Sequence, residues 1–170
     1  NELCNPKSII ARNDSPIRSA EGLNLENRTI KGTPPDKLQI EYFNIPFSIN
    51  LLSGQKTGLY LDQLKNYLLV GKLANNKKVL DCFTNQGGFA LSCLLSGAKE
   101  VTGIDISETA IKSAQENASN INNNNSNWIK GNVFDLLKSF DAEKHTYDMI
   151  ILDPPSFTKN KKSILDAMRG

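Results

Sequence analysis

The sequence predicts an α/β protein organised around a parallel, doubly wound sheet, and three observations predict it. Apolar strand-like runs at 78–82, 101–104 and 147–152 alternate with helix-like segments at 88–96 and 108–118; repeated β-then-α order is the pattern of parallel strands joined by crossover helices. The first run breaks after Asp81 into a loop carrying Gly87 and Gly88 before the helix begins. The later runs end in Asp105 and Asp153. In an open parallel sheet, ligands sit beyond the carboxyl ends of the strands.

Residues 1–53 read as a β-rich accessory segment. Leu38, Ile40 and Tyr42 alternate with Gln39 and Glu41, and Phe47, Ile49 and Leu51 with Ser48 and Asn50. Two half-buried strands around a turn at Asn44-Ile45-Pro46 make a hairpin. Further strands are expected at Ile9–Arg12 and Thr29–Lys31. From Gly54 to the end, 54–170, the character is that of the α/β domain. A helix over Asp62–Ala74 is expected to bury Leu61, Leu64, Leu68 and Leu73. Strand Lys78–Cys82, helix Gly88–Ser96, strand Val101–Ile104 and helix Glu108–Ala118 follow, the last capped by Ser107. A strand at Trp128–Lys130, a helix at Phe134–Phe140 and a strand at Tyr147–Leu152 complete the alternation.

No apolar run approaches the ~18 residues that span a bilayer, and the N-terminus lacks the charged and apolar blocks of a signal peptide. Cys4, Cys82 and Cys93 have neither disulfide nor zinc spacing, so a reduced, cytoplasmic setting without a structural metal is expected. Net charge is only +2, which removes a globally basic surface as an argument for nucleic acid. Distribution says more: residues 103–154 carry four basic and eight acidic side chains, the last sixteen four basic and one acidic. Lys159, Lys161 and Lys162 therefore form a local basic hint. The run Asn122–Asn125 reads as a surface loop. The chain opens on Asn1 and stops without a terminating feature, which reads as a window on a longer protein.

Asp81, Asp105, Asn132 and Asp153 all fall at or just after expected strand ends and should share one crevice. One such residue alone is more often a cap or turn; four at successive strand ends point to a ligand site. The second carboxylate, Asp105, suits the two hydroxyls of a ribose, and the Gly pair admits close approach to the backbone. The loop FTNQGGF lacks the third glycine of the pyrophosphate-binding G-x-G-x-x-G pattern, which favours a sulfonium cofactor over nicotinamide. Pro154 and Pro155 after Asp153 form a rigid corner that continues neither strand nor helix. Such a corner can present Asp153 to a planar base.

GQKTGLYLDQ (54–63), VLDCFTNQGGFAL (79–91), GIDIS, GNVFD and ILDPPSF resemble successive motifs of class I S-adenosylmethionine-dependent methyltransferases. The nearest resemblance is to the ribosomal RNA large-subunit cytosine-5 methyltransferases that carry a PUA domain; IIARNDSPIRSAEGL also resembles the segment before the hairpin in that family. The resemblance implies a Rossmann-like class I methyltransferase sheet, its first four strands supplied here and preceded by the hairpin-rich segment. The cofactor it implies is S-adenosylmethionine and the partner is RNA. It places Asp81, Phe83, Gly87, Gly88 and Phe89 in the cofactor loop. Asp105 falls on the ribose, Ile106 against the adenine, and Asn132 and Val133 at the adenine edge. Thr57, Tyr60 and Asp62 close the methionine end, and Asp153, with Pro154 and Pro155, lines the target-base side.

Two departures stand out. The family carries Asp where this chain has Asn132, so the contact to the adenine amino group would come from the Asn carbonyl oxygen. Leu64 and Tyr67 stand where the family has arginines.

Methylation at cytosine carbon 5 requires a thiolate to add at carbon 6, on a base flipped out of any helix. The family's nucleophile lies in a later Ser-Cys-Ser stretch, so no catalytic residue is expected within 1–170. Cys82 and Cys93 are expected in the core, His145 in solvent and Trp128 in the packing. The alternatives are a methyltransferase acting on a ring or exocyclic nitrogen of guanine or adenine, against which Ser156 preceding Phe157 counts, a nicotinamide-dependent oxidoreductase, and an inactive RNA-binding remnant. The apolar strand 147–152 would form a sheet edge in these 170 residues, a liability for edge-to-edge pairing. The isolated chain is expected to associate in solution; a monodisperse, cooperatively melting monomer in analytical ultracentrifugation and thermal scans would contradict this.

Overall fold

A computed structural model of the chain describes residues 4–52, 59–121 and 123–155. Two compact units are present, one drawn from the chain up to Ile40 with Ser48–Leu61, the other from Glu41–Phe47 with the chain from Asp62 onward. Strands β1 (Ile9–Asn13) and β2 (Glu26–Lys31) pair antiparallel, with Ile10 opposite Thr29 and Asn13 opposite Glu26. The single turn α1 (Ile17–Ala20) lies between them.

Strands β3 (Leu38–Tyr42) and β4 (Ile45–Ile49) form the expected hairpin with its turn displaced. Phe43 and Asn44 have φ of 49° and 65°, as a two-residue mirror-image turn requires. The second strand therefore starts at Ile45 and includes Pro46, which a two-stranded sheet tolerates because each strand has an unpaired side. Ile45, Phe47 and Ile49 are buried as expected, but Ser48 between them is buried as well, its Oγ accepting from Gln39 Nε2 at 2.8 Å, so the strand is not the half-buried one that the alternation implied.

A 3-10 turn (Leu61–Gln63) leads into α2 (Leu64–Gly71), shorter than the expected 62–74 and with a different inner face. Leu61 and Leu73 are exposed, while Tyr67 and Gly71 are buried. The inward stripe is Leu64, Tyr67, Leu68 and Gly71, the i, i+3, i+4, i+7 spacing of a helix face. A glycine belongs there because a Cβ on Gly71 would stand 2.4 Å from Ser92 Oγ on the next helix. Ser92 Oγ donates to the Tyr67 carbonyl oxygen at 2.7 Å, tying the two helices.

The main sheet comprises β5 (Lys78–Cys82), β6 (Glu100–Asp105), β7 (Ser126–Lys130) and β8 (Met149–Leu152), in spatial order β7-β6-β5-β8 with every neighbouring pair parallel. Helices α3 (Gly88–Leu95), α4 (Glu108–Ser119) and α5 (Val133–Ala142) connect them. On one face Leu80, Cys82 and Ile104 meet Val133, with Leu136, Leu137, Phe140 and Tyr147 packed around them. Strand β8 starts two residues later than expected. Tyr147 turns onto the Phe140 ring, and Asp148 Oδ2 accepts the Lys78 N–H at 2.8 Å. Among the described residues β8 is an edge of the sheet, as the sequence implied, and its Ile150 and Leu152 are exposed. No described helix is long and apolar enough to cross a membrane.

The Tyr67 ring lies flush on the start of α3: a Cβ on Gly88 would stand 2.4 Å from its Cζ. Gly88→Ala is expected to destabilise the fold by about 1–3 kcal/mol through overpacking, read as a lower urea midpoint at unchanged m-value. An unchanged midpoint would show that this contact is loose.

Candidate functional site

Sheet register brings the polar strand ends together. Cys82 pairs with Ile104 on one side and Leu152 on the other, so Asp105 and Asp153, each one residue further on, flank the start of the loop after β5. Asp105 itself pairs with Lys130, two residues before Asn132. Asp81 lies within β5, opposite Gly103 and Ile151.

Asp81 is almost wholly buried. Its Oδ2 accepts from Thr84 Oγ1 at 2.6 Å and from the Ala90 N–H at 3.1 Å, while the buried Oδ1 has no hydrogen-bond partner among the described residues. Burial raises its pKa to about 7 against the two hydrogen bonds, and the charges of Asp153 and then Asp105 push the same way. A cation at Oδ1 would offset that burial and favour the ionised form of Asp81.

The loop between β5 and α3 is bent tightly. Phe83, Asn85 and Gly87 have φ of 61°, 51° and 85°, a conformation costly for non-glycine residues that persists only where surroundings enforce it. The enforcers are on hand: Thr84 N–H donates to Ile104 O at 2.8 Å, Asn85 N–H to Asp105 Oδ2 at 2.9 Å, and the buried Asn117 Nδ2 to Gln86 O at 3.0 Å. Asp105 Oδ1 accepts the Ser107 N–H at 2.9 Å. Each Asp105 oxygen thereby spends one lone pair on the backbone and keeps another for an outside donor. Ile106 beside it is 67% exposed, an apolar surface at the cleft rim that nothing in the core explains.

Several sequence expectations change in their reasons. Gly87 and Gly88 answer first to packing: a Cβ on Gly87 would stand 3.0 Å from the Trp128 ring, and one on Gly88 would meet Tyr67. Phe89 is half-buried and edge-on to Tyr67, with ring centroids 4.7 Å apart. Tyr67 is therefore a core residue rather than an arginine's substitute in the cleft. Asn132 caps α5, its Oδ1 accepting from Phe134 N–H at 2.9 Å and Asp135 N–H at 3.4 Å. The oxygen expected from the sequence to meet adenine therefore also caps the helix. Val133 is buried in the core beneath it.

Asp62 is exposed in the 3-10 turn, and Tyr60 is half-buried in the first unit. Asp153, Pro154 and Pro155 are exposed past β8. Thr57, Lys56, Ser156, Phe157, Lys159, Lys161 and Lys162 lie outside the described residues. Cys82 and Cys93 are fully buried, and burial pushes their thiols up to about 11 and about 12. His145 is exposed and stacks on Phe140. No group of three His, Cys, Asp or Glu side chains among the described residues could hold a metal ion.

Sequence reasoning missed three residues. Thr84 holds Asp81, Asn117 holds the loop, and Gln63 Nε2 donates to Asp153 Oδ2 at 3.2 Å. Asn117 was detectable as a polar residue on the inner face of α4.

Over residues 25–169 the sequence matches the S-adenosylmethionine-dependent methyltransferase family. The chain belongs to that family. Ribosomal RNA large subunit methyltransferase I of Aeromonas salmonicida is 39% identical over 166 residues, and that of Tolumonas auensis 40% over 167; each alignment covers 96% of this chain and 42% of the relative. The chain thus spans less than half the length of these curated relatives. A crystal structure provisionally described as a methyltransferase and complexed with S-adenosylhomocysteine is 27% identical, with TM-score 0.71, over 80% of this chain and 37% of that one. The S-adenosylmethionine-dependent methyltransferase of Agrobacterium tumefaciens shares the fold at TM-score 0.73 and 22% identity, over 91% of this chain and 48% of that one.

The family's cofactor, S-adenosylmethionine, suits the described residues. It carries an ammonium and a sulfonium, and Asp81 has a buried oxygen without a hydrogen-bond partner among the described residues; it carries a ribose, and each Asp105 oxygen accepts only one backbone N–H.

Asp81 ties stability to pH. Its folded pKa lies above the unfolded value of 3.8, so between about pH 4 and 7 the folded state holds a proton that the unfolded state has lost. Stability from this group falls as pH rises through that window, by an amount on the order of a few kcal/mol, and levels off above it. The midpoint of thermal unfolding is expected to drop between pH 5 and 7.5, and Asp81→Asn to flatten the slope. An equal slope in both proteins would show that Asp81 ionises freely.

Proposed function

We propose that the protein carrying this chain transfers a methyl group from S-adenosylmethionine to large-subunit ribosomal RNA, forming 5-methylcytosine, in the cytoplasm. The observation that carries the substrate class is the 39–40% identity, along almost the whole chain, to ribosomal RNA large subunit methyltransferases. The cytosine carbon 5 product is supported by the motif resemblance from GQKTGLYLDQ to ILDPPSF.

When bound, the cofactor supplies an electrophilic methyl group on a sulfonium. Asp81 Oδ1 would receive its cationic amino-acid end; the motif resemblance alone assigns Thr57, Tyr60 and Asp62 to the methionine end. Phe83, Gly87, Gly88 and Phe89 shape the loop against it. Asp105 would accept the ribose hydroxyls, the exposed Ile106 would lie along the adenine, and Asn132 would border the adenine edge, with Val133 buried in the core beneath it. Asp153 with Pro154 and Pro155, exposed past β8, would hold the target base. The carbon 6 nucleophile must be a thiolate of lowered pKa. Cys82 and Cys93, buried and shifted the opposite way, do not serve, and the thiol is expected from a later part of the protein.

S-adenosylhomocysteine is expected to raise the thermal midpoint, NAD to leave it unchanged, and Asp105→Ala to weaken S-adenosylhomocysteine binding about 10- to 100-fold, as loss of hydrogen bonds to a charged acceptor does. Nucleoside mass spectrometry of ribosomal RNA from a strain lacking the gene should show one 5-methylcytidine missing from the large subunit. Loss of a methylated purine instead would overturn the product, and stabilisation by NAD alone would overturn the cofactor.

A further inference from the structure

Asp105 and Asp153 end adjacent-level strands but are held by different means. Asp105 takes the N–H of Ser107, two residues on. The same positions after Asp153 are Pro154 and Pro155, which have no N–H to give. The corner that stiffens the cleft therefore deprives its carboxylate of local donors. The donor comes instead from Gln63, ninety residues away in sequence, whose Nε2 reaches Asp153 Oδ2 at 3.2 Å. Gln63 occupies the N-cap position of α2 and makes no capping hydrogen bond, so its carboxamide is spent on Asp153 rather than on its own helix. Asn66, one turn along α2, donates from Nδ2 to Gln63 Oε1 at 2.7 Å. That bond fixes which end of the Gln63 amide faces the carboxylate.

We propose that Gln63 is a positioning residue, oriented by Asn66, that aims the Asp153 carboxylate at the target base. This rests on the reading of the cleft given under Proposed function. In that reading Asp153 meets the base, so Gln63 acts on methyl transfer and leaves cofactor binding alone.

The test uses the full-length protein with Gln63→Leu and Gln63→Glu. Gln63→Leu is expected to lower kcat/KM for ribosomal RNA roughly tenfold and to keep S-adenosylhomocysteine affinity within about twofold. Gln63→Glu should be impaired at pH 8 and regain activity relative to Gln63→Leu as pH falls, because a protonated carboxyl can again donate to Asp153. Wild-type rates in both variants, or loss in both with the same pH profile, would overturn the proposal. The side-chain amide resonances of Gln63 give a readout independent of substrate: they should move on Asp153→Asn, and unmoved resonances would equally overturn it. Absence of transfer to ribosomal RNA by the wild type would overturn the substrate reading while those resonances still decide the role of Gln63.

Discussion

One buried carboxylate organises this half of the molecule. Asp81 leaves β5 inside the protein, and a single oxygen takes the Thr84 hydroxyl and the Ala90 N–H, so strand end, loop and first turn of α3 share one acceptor. Burying an acid is unfavourable unless its charge is compensated. Here compensation stops halfway: the second oxygen is left without a partner and two more carboxylates lie near enough to raise its pKa. A cationic ligand at the second oxygen would offset that cost.

The rest of the cleft follows from sheet register. Parallel pairing aligns β5, β6 and β8 so that Asp105 and Asp153 emerge on either side of the loop. The strained residues Phe83 and Asn85 then close that loop onto the Ile104 carbonyl and the Asp105 carboxylate. Asp105 is thus a scaffold for the loop. The chain after each strand decides how its acid is fixed: backbone N–H groups are available after Asp105, whereas the diproline after Asp153 leaves the work to α2.

Much of this was legible in the sequence. The alternation of strands and helices, the Ser107 cap, the burial of Cys82 and Cys93 and the edge position of 147–152 all depend on local pattern, and all are present. The readings that failed depended on neighbours. Leu61 and Leu73 looked like core because leucine usually is, but the inner face of α2 is set by the close approach of α3, which only Gly71 and the flat ring of Tyr67 permit. The hairpin turn moved because Phe43 accepts a left-handed conformation that composition gives no reason to expect. The helix-capping role of Asn132 was likewise not read from the sequence, although an Asx side chain at a strand-to-helix junction commonly accepts from the helix's first N–H groups.

The sequence by itself determined the class of sheet, the order in which its polar tips appear and the family, because hydrophobic period and short glycine and proline motifs are local properties that adjacent residues encode. Only the tertiary structure decided what each tip is bonded to. It shows Asp81 half-satisfied, Asp105 shared with the loop, Asn132 spent on a cap and Asp153 held by Gln63. These are contacts between residues up to ninety positions apart, and their geometry exists only once parallel pairing has fixed the register.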